Sequence, residues 1–182
     1  MKTYRWKFLR LVDGKIKSNS GNTEWKIGEW LHEDKIDPCN AGFHCSKTQW
    51  QAFSYVQGEI LAKVEVKGKH KSGDDKEVWT DMRIVDAWKW QKKDSVALSI
   101  FSAELCIEQF EKFYPNDKRP RDAIEAAKKW ILEPTKENEW AAALAARSAE
   151  SAAAWAARSA AKKKVFTAIC KWITNHKLDP HV

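Results

Sequence analysis

Glu59-Ile-Leu-Ala-Lys-Val-Glu-Val66 begins the part of the sequence that decides the fold of the first half of the chain. It is followed by the polar segment 67–76 and the stretch 78–88. The first and third segments are rich in valine, isoleucine and tryptophan, residues that are enriched in β-strands. The segment between them is polar and contains glycine, which is typical of a loop. The sequence therefore predicts two strands that pair back on each other around this loop.

The residues before this pair indicate further strands and one helix. Thr3-Tyr-Arg-Trp-Lys-Phe-Leu-Arg-Leu11 alternates aromatic and basic residues with the period of a half-buried strand. Asp13-Gly14 predicts a hairpin turn that returns through residues 15–17. Residues 25–30 are typical of a further strand or an extended arm. Ser46-Lys-Thr-Gln49 has the pattern of a helix capping box. Together these segments predict a small mixed sheet with one helix.

Glycine and alanine divide the chain into two parts. All seven glycines lie within the first 73 residues, whereas most alanines follow residue 94. Glycine serves turns and bulges, and alanine is the strongest helix former. The fold class predicted from this shift is α+β, with a β-rich domain at residues 1–92 and an all-α helical bundle at residues 93–182.

The second half predicts helices throughout. One helix covers residues 95–113, and Pro120 fits the first turn of the next, which Pro134 ends. Thr135 can cap a third helix. Residues 136–176 contain neither glycine nor proline, and whether they form one helix or two stays open.

An eleven-residue repeat occupies residues 139–160, where two successive copies match at nine of eleven positions. Eleven residues make three helical turns, so Arg147 and Arg158 share one stripe and Leu144 and Trp155 share another. One interpretation is helix packing with a solvated arginine edge, in one chain or in a homodimer. The other is a basic stripe, with Trp155 beside it, that binds a polyanion.

Composition excludes several classes of protein. The 182 residues carry a formal net charge of +7, and 31% are charged while 43% are hydrophobic, which excludes a disordered chain. No apolar stretch approaches the roughly 20 residues of a membrane span, and the N-terminus does not open like a signal peptide. The four cysteines lack the spacing of a disulfide framework. A cytoplasmic protein without membrane association is therefore expected.

The run Cys39-Asn-Ala-Gly-Phe-His-Cys45 resembles the signature of an uncharacterised, phage-associated Gly-Phe-His domain family, and the resemblance extends over roughly residues 4–90. Metal binding at His44 is not expected, because a structural zinc site needs four ligands in paired short spacings. We expect a half-buried His44 that hydrogen-bonds the backbone, with Cys39 and Cys45 as small core residues.

The segment Gly42-Phe-His-Cys-Ser46, with residues 50–55 after it, is also distantly similar to ADP-ribosyltransferase-like folds. That resemblance implies NAD as a cofactor, which is not expected otherwise. It also implies a carboxylate held against the ribose, and the candidate catalytic residues are Asp81 and Glu77. Under the same resemblance Tyr55 would form an aromatic wall and Arg10 would meet a diphosphate.

Residues 106–130 and the alanine-rich segment after them resemble a helical immunity protein family, over roughly residues 94–176. This resemblance implies a protein that neutralises a toxin by binding it. Asp117, Arg119 and Arg121 belong to the most specific part of the resemblance. They can equally form hydrogen bonds with the unpaired backbone groups at the ends of the two helices that they join.

The hypothesis that follows is a non-enzymatic binding protein of phage or mobile-element type, which neutralises a protein partner or a nucleotide-like ligand. Tryptophan can stack on a base, and lysine or arginine can meet phosphate. One alternative is the NAD-using enzyme, and the other is a nucleic-acid-binding protein. The candidate ligand-binding residues are Arg10, His44, Ser46, Trp50, Tyr55, Arg119, Arg121, Arg147, Trp155 and Arg158.

Overall fold

A computed structural model describes residues 2–53, 58–141, 162–175 and 179–180. The chain divides into two compact units, one formed by residues 1–91 and 177–182 and the other by residues 92–176. The fold is of the mixed α+β class, because the first unit is built on a sheet and the second contains helices. Tyr55, Arg147, Trp155 and Arg158 lie outside the described residues, and so does most of the repeat.

Eight strands and four helices have defined bounds in the described part of the chain. The strands are β1 Thr3–Val12, β2 Lys15–Lys17, β3 Glu24–Trp25, β4 Leu31–His32, β5 Phe43–Cys45, β6 Ile60–Ser72, β7 Glu77–Lys89 and β8 Asp179–Pro180. The helices are α1 Gln49–Phe53, α2 Lys92–Phe113, α3 Arg119–Leu132 and α4 Lys162–Asn175. Residues 136–141 are also helical.

The strands form one antiparallel sheet in the order β3-β2-β1-β6-β7-β4, and β5 and β8 also pair with β7. Ser46, directly after β5, exchanges two backbone hydrogen bonds with Trp6 on β1. Because β5 thus joins β7 to β1, the sheet curls and has an inner and an outer face. The inner face of the central strands carries buried apolar residues: Leu9, Ile60, Ala62, Val64, Val66, Met82, Ile84 and Ala87.

The turn at Asp13-Gly14 is confirmed. Asp13 has φ 52° and Gly14 has φ 73°, and β1 pairs directly with β2 across them. Two consecutive residues at positive φ characterise the two-residue hairpin turn whose twist matches that of the flanking strands. Local turn chemistry alone is therefore sufficient to place this connection.

The expectation of a loop at residues 67–76 is wrong for most of that segment. Strand β6 continues to Ser72, and His70, Lys71 and Ser72 pair with β7. The ladder is irregular between Lys67 and His70, where Gly68 has φ 84°. A β-bulge lets a strand bend and twist without ending, and glycine supplies the positive φ that it needs. The polar run is therefore the outer part of a long hairpin.

The cap of α1 also differs from the expectation. Thr48 Oγ1 accepts a hydrogen bond from the backbone N–H of Gln51 at 3.2 Å, and Gln51 Oε1 accepts one from the N–H of Thr48 at 3.2 Å. This reciprocal pair is a capping box, displaced by two residues from Ser46 and Gln49. Ser46 is buried and belongs to the bridge with β1.

In the second unit, α2 and α3 pack through Ile100, Ile107 and Ile124, and Phe101 of α2 stacks on Trp172 of α4. The Thr135 hydroxyl accepts a hydrogen bond from the N–H of Asn138 at 3.1 Å and so caps the helical segment 136–141. Strand β8, in contrast, lies within the segment that was expected to be helical. Within the described ranges, no helix is both long enough and apolar enough to cross a membrane.

Candidate functional site

The outer face of β1, β6 and β7 carries aromatic and cationic side chains. Direct cross-strand pairs place residues on one face: Tyr4 faces Glu65, which faces Arg83, and Trp6 faces Lys63. We call this surface the aromatic–lysine face and define it by Tyr4, Trp6, Trp30, Lys63, Lys67, Arg83 and Trp88. At one end of it, Phe8 contacts Phe53 of α1 and Trp90 edge to face, so the face is covered there and open beyond.

Cations lie over two of its rings. The Lys63 ammonium is 4.7 Å from the centre of the Tyr4 ring. The Lys67 ammonium and the Arg83 guanidinium are 4.1 Å and 4.9 Å from the centre of the Trp30 ring. Tyr4 is 38% exposed. At exposed sites each such pair contributes about 0.5–1 kcal/mol, which is small enough for a ligand to displace it.

The two remaining rings stack on each other across β6. The ring centroids of Trp6 and Trp88 are 6.0 Å apart and their planes are inclined by 25°. Both indoles are half-buried, so each keeps part of its surface accessible. The stacking fixes both rings on the sheet, and a ligand that packs on them needs little reordering of side chains.

Beyond Lys67, the outer part of β6 is a row of exposed cations. Lys67, Lys69 and Lys71 are exposed, and we call them the lysine ribbon. His70 lies between them, with its ring stacked on Trp79 at 4.0 Å between centroids. Among the described residues, neither Lys69 nor Lys71 forms an ion pair. At roughly 3.3 Å per residue, the row from Lys63 to Lys71 extends over about 25 Å.

The opposite, inner side of β1 carries Arg5 and Lys7. The Arg5 guanidinium donates to both carboxylate oxygens of Glu77, at 2.6 and 3.2 Å. The Lys7 ammonium donates to the His44 carbonyl at 2.8 Å, and burial lowers its pKa to about 8. Both basic residues are thus held inside the curl of the sheet by acceptors from β5 and β7.

Of the two candidate catalytic carboxylates, Glu77 is the more enclosed. Its side chain is 3% exposed and also accepts a hydrogen bond from the Trp79 indole at 2.9 Å. Burial acts to raise its pKa, but the hydrogen bonds from Arg5 and Trp79 outweigh it, so the pKa lies below the usual range. The carboxylate is an ionised partner of Arg5 in the folded protein.

Asp81, the other candidate, lies within the sheet, where it pairs with Lys67 of β6 and with His32 of β4. One oxygen accepts from the Thr80 hydroxyl at 2.6 Å, and the other lies 3.0 Å from His32 Nδ1. Burial acts to raise its pKa, whereas the hydrogen bonds from Thr80 and His32 lower it to below the usual value. Both of its oxygens are therefore already paired with protein groups.

His44 behaves as expected from the sequence. It is half-buried, and its Nε2 accepts a hydrogen bond from the backbone N–H of Cys39 at 2.9 Å. Burial, followed by the nearby charges of Lys7 and Lys76, lowers its pKa, so the neutral ring is favoured. Cys45 is buried in the core, but Cys39 is exposed, and its expected place in the core is wrong.

The remaining described candidates belong to both units, and the arginines among them are held by contacts inside their own unit. The Arg10 guanidinium donates to the Ser18 carbonyl, at 3.0 and 3.1 Å, and holds the loop after β2. Trp50 is half-buried on α1. In the second unit, Arg119 pairs with Asp117, and Arg121 donates to both oxygens of Glu111, at 2.7 and 2.8 Å. These two arginines pin the turn between α2 and α3.

Sequence reasoning missed the aromatic–lysine face, although one signal for it was present. The alternation of aromatic and basic residues from Thr3 to Leu11 placed Tyr4 and Trp6 on one face of a strand. Lys63 and Arg83 come from distant segments, and the register of the sheet brings them to one face. Trp30 joins them through its contacts with Lys67 and Arg83. In the described part of the chain, no three histidine, cysteine or acidic residues converge as metal ligands.

Residues 6–93 match the profile of a protein family described as Domain of unknown function (DUF7666). The match covers just under half of the chain and coincides with most of the first unit. The first unit is therefore similar to a domain whose role is open. No curated protein and no solved structure matches the chain significantly.

Proposed function

We propose that the protein is a non-enzymatic binding protein that holds a nucleotide-like ligand on the aromatic–lysine face, with its phosphates on the lysine ribbon. The observation that carries this proposal is the series Lys63, Lys67, Lys69 and Lys71 along one strand, in which Lys63 lies opposite Trp6 and over the Tyr4 ring. Bases have flat faces that stack on aromatic side chains, and phosphates pair with ammonium groups.

The energetics favour exchange of the existing contacts for ligand contacts. A base that stacks on an aromatic ring contributes about 1–3 kcal/mol, compared with about 0.5–1 kcal/mol for an exposed cation–π pair. A lysine displaced from a ring remains able to bind phosphate. Lys63 can therefore leave the Tyr4 ring to a base without losing a favourable partner.

The acidic residues on the same surface decide where phosphate can lie. Glu65 is paired with Arg83 at 2.7 Å, and Asp81 is held by Thr80 and His32. These carboxylates make the central face nearly neutral, whereas the ribbon beyond Lys67 is cationic. We therefore place the bases on the central face and the phosphates on the ribbon.

The test compares two double variants of the full chain that lose equal charge from the first unit. K69A/K71A removes two ribbon ammoniums, and K15A/K26A removes two exposed lysines from the β2–β3 edge. Affinity for mononucleotides, NAD, cyclic dinucleotides and short single strands is measured by tryptophan fluorescence. We expect at least tenfold weaker binding for K69A/K71A and little change for K15A/K26A. Equal loss in both variants, or no binding by the wild type, would refute the proposal.

A second pair of variants tests the aromatic part of the site. Tyr4→Ala removes an exposed ring, and Tyr4→Phe keeps it. Stacking predicts roughly tenfold weaker binding for Tyr4→Ala, at about 1.4 kcal/mol, and near-normal binding for Tyr4→Phe. Identical affinities for the two variants would show that the ring does not contact the ligand.

The biological context of this proposal comes from the two family resemblances. The resemblance of the first half to a phage-associated domain family, and of the second half to an immunity protein family, supports neutralisation of a partner in host–virus or toxin conflict. We also propose that the second unit as a whole is an all-α helical bundle. The alternative is an NAD-using enzyme, which requires Asp81 or Glu77 to leave its present partners. Measurable NAD turnover that Asp81→Asn abolishes would favour this alternative.

A further inference from the structure

The side chains of Cys39 and Lys76 form a contact that the binding proposal does not use. Lys76 Nζ lies 2.8 Å from Cys39 Sγ, and the two residues are 37 positions apart in the sequence. Lys76 directly precedes β7, and Cys39 lies in the segment that leads to β5. A lysine ammonium, which becomes a nucleophile once it loses a proton, and an oxidisable sulfur are thus in direct contact at the end of the long β6–β7 hairpin.

The backbone around Cys39 is fixed in an unusual conformation. Cys39 has φ 73°, a left-handed value that non-glycine residues seldom adopt. Its N–H donates to His44 Nε2, and the flanking residues Asp37 and Ala41 exchange two backbone hydrogen bonds of 3.0 Å. Strained conformations persist where the surrounding structure imposes them. In this conformation the Cys39 sulfur contacts Lys76.

Cys39 is also the most accessible thiol of the chain. It is exposed, whereas Cys45 is buried and Cys106 and Cys170 are half-buried. Burial raises the pKa of Cys45 to about 12 and also raises the pKa of Cys106. Oxidation of cysteine follows exposure and thiolate character, so an oxidant should reach Cys39 before the other three.

We propose that Cys39 and Lys76 form a peroxide-driven, reversible covalent cross-link, a sulfenamide. In the first step the Cys39 sulfur attacks hydrogen peroxide, the O–O bond breaks, and the products are a sulfenic acid and water. Sulfur loses two electrons, and the peroxide gains them.

In the second step, Lys76 Nζ, after loss of one proton to solvent, attacks the sulfur. The S–N bond forms and the S–O bond breaks. The departing hydroxide takes a second proton from the nitrogen and leaves as water, and no further oxidant is needed. The present separation of 2.8 Å is already shorter than the roughly 3–3.5 Å between reacting atoms in a reactive arrangement, so no approach of the two side chains is needed. A thiol reductant reverses the cross-link and regenerates both side chains.

The cross-link joins the segment around Cys39 to the start of β7. Both ends of that segment are already hydrogen-bonded, so bond formation requires only local movement of two side chains. This proposal concerns different residues from the aromatic–lysine face and does not depend on the proposed binding function.

The test treats the full chain with equimolar hydrogen peroxide and measures intact mass and cross-linked peptides. In the wild type we expect loss of two hydrogens, a Cys39–Lys76 linked peptide, and full reversal by a thiol reductant. Lys76→Arg should lose the linked peptide and accumulate oxygen on Cys39. Lys47→Arg, the same conservative change at an exposed lysine outside the Cys39 contact, should behave like the wild type.

Three outcomes would overturn the proposal. The first is oxidation of wild-type Cys39 to sulfinic acid without a linked peptide. The second is loss of two hydrogens that persists in Lys76→Arg, which would indicate a disulfide. The third is a linked peptide that carries an additional oxygen, which would show an oxygen-bridged product in place of the sulfenamide.

Discussion

Two histidines of the first unit have pKa values displaced in opposite directions. Burial, with the charges of Lys7 and Lys76, lowers the pKa of His44, although a hydrogen bond with the Gly42 backbone and the charge of Asp37 act in the other direction. Hydrogen bonds to Asp34 and Asp81 raise the pKa of His32. The neutral form of His44 also accepts the Cys39 N–H, which the protonated ring cannot do.

These directions predict opposite effects of pH on stability. The His44 side chain binds a proton less readily in the folded protein than in the unfolded chain. Its contribution to the free energy of unfolding is therefore present above about pH 6.5 and is lost as the pH falls through its pKa in the folded protein. His32 contributes most below about pH 6.5, and its contribution is lost as the pH rises through its folded pKa. In urea unfolding at several pH values, His44→Gln should reduce the loss of stability on acidification, and His32→Gln should increase it. Parallel pH profiles for both variants and the wild type would contradict the assignment.

At the level of elements, the bulge at Gly68 controls the outer part of the β6–β7 hairpin. Gly68 has φ 84°, and a Cβ at this position would overlap Thr80 Oγ1 and the Asp81 carboxylate. Gly14, in the β1–β2 turn, has φ 73° but open space around its Cα. The two glycines therefore share a backbone requirement and differ in steric surroundings.

We predict that Gly14→Ala costs about 1–2 kcal/mol, which is the penalty of a left-handed alanine. Gly68→Ala should cost more than Gly14→Ala, because it also displaces the contacts of Thr80 and Asp81. The measurement is the free energy of unfolding of each full-length variant in urea. Equal losses would indicate that β7 moves away freely and that the bulge is not sterically fixed.

How far the sequence predicts these elements depends on how local their causes are. The Asp13-Gly14 turn and the Thr135 cap are set by neighbouring residues, and both were predicted correctly. The strand from Lys67 to Ser72 was not predicted, because its polar residues favour a loop and only pairing with β7 holds them extended. The candidate site depends on such pairing throughout, so the sequence indicated its residue types but not its place.

Strand β1 shows the same limit in another way. The alternation of aromatic and basic residues predicts one buried and one exposed face. In the structure, residues on both faces of β1 are at least partly buried by contacts with other segments. Arg5 and Lys7 lie on the inner side because Glu77 and the His44 carbonyl, from distant segments, accept their hydrogen bonds. No local pattern around β1 contains this information.

For the molecule as a whole, the net charge of +7 predicts binding that depends on salt. Each lysine that contacts a phosphate of a single strand adds about 0.7 to the slope of log affinity against log salt. K69A/K71A should therefore lower the slope by about 1.4, to a similar extent for every base sequence. The measurement is a salt titration of oligonucleotide affinity. An unchanged slope would show that the two lysines do not contact phosphate.

Strand β8 has a consequence for how the chain is assembled. Lys89, at the end of β7, pairs directly with Asp179, so the chain leaves the sheet and rejoins it at neighbouring positions. Topologically, the helical residues between them are an excursion inserted into a continuous sheet. Such an insert can change in length or sequence while its two ends keep the same spacing. The pairing of β7 with β8 then stays the same whatever residues the insert contains.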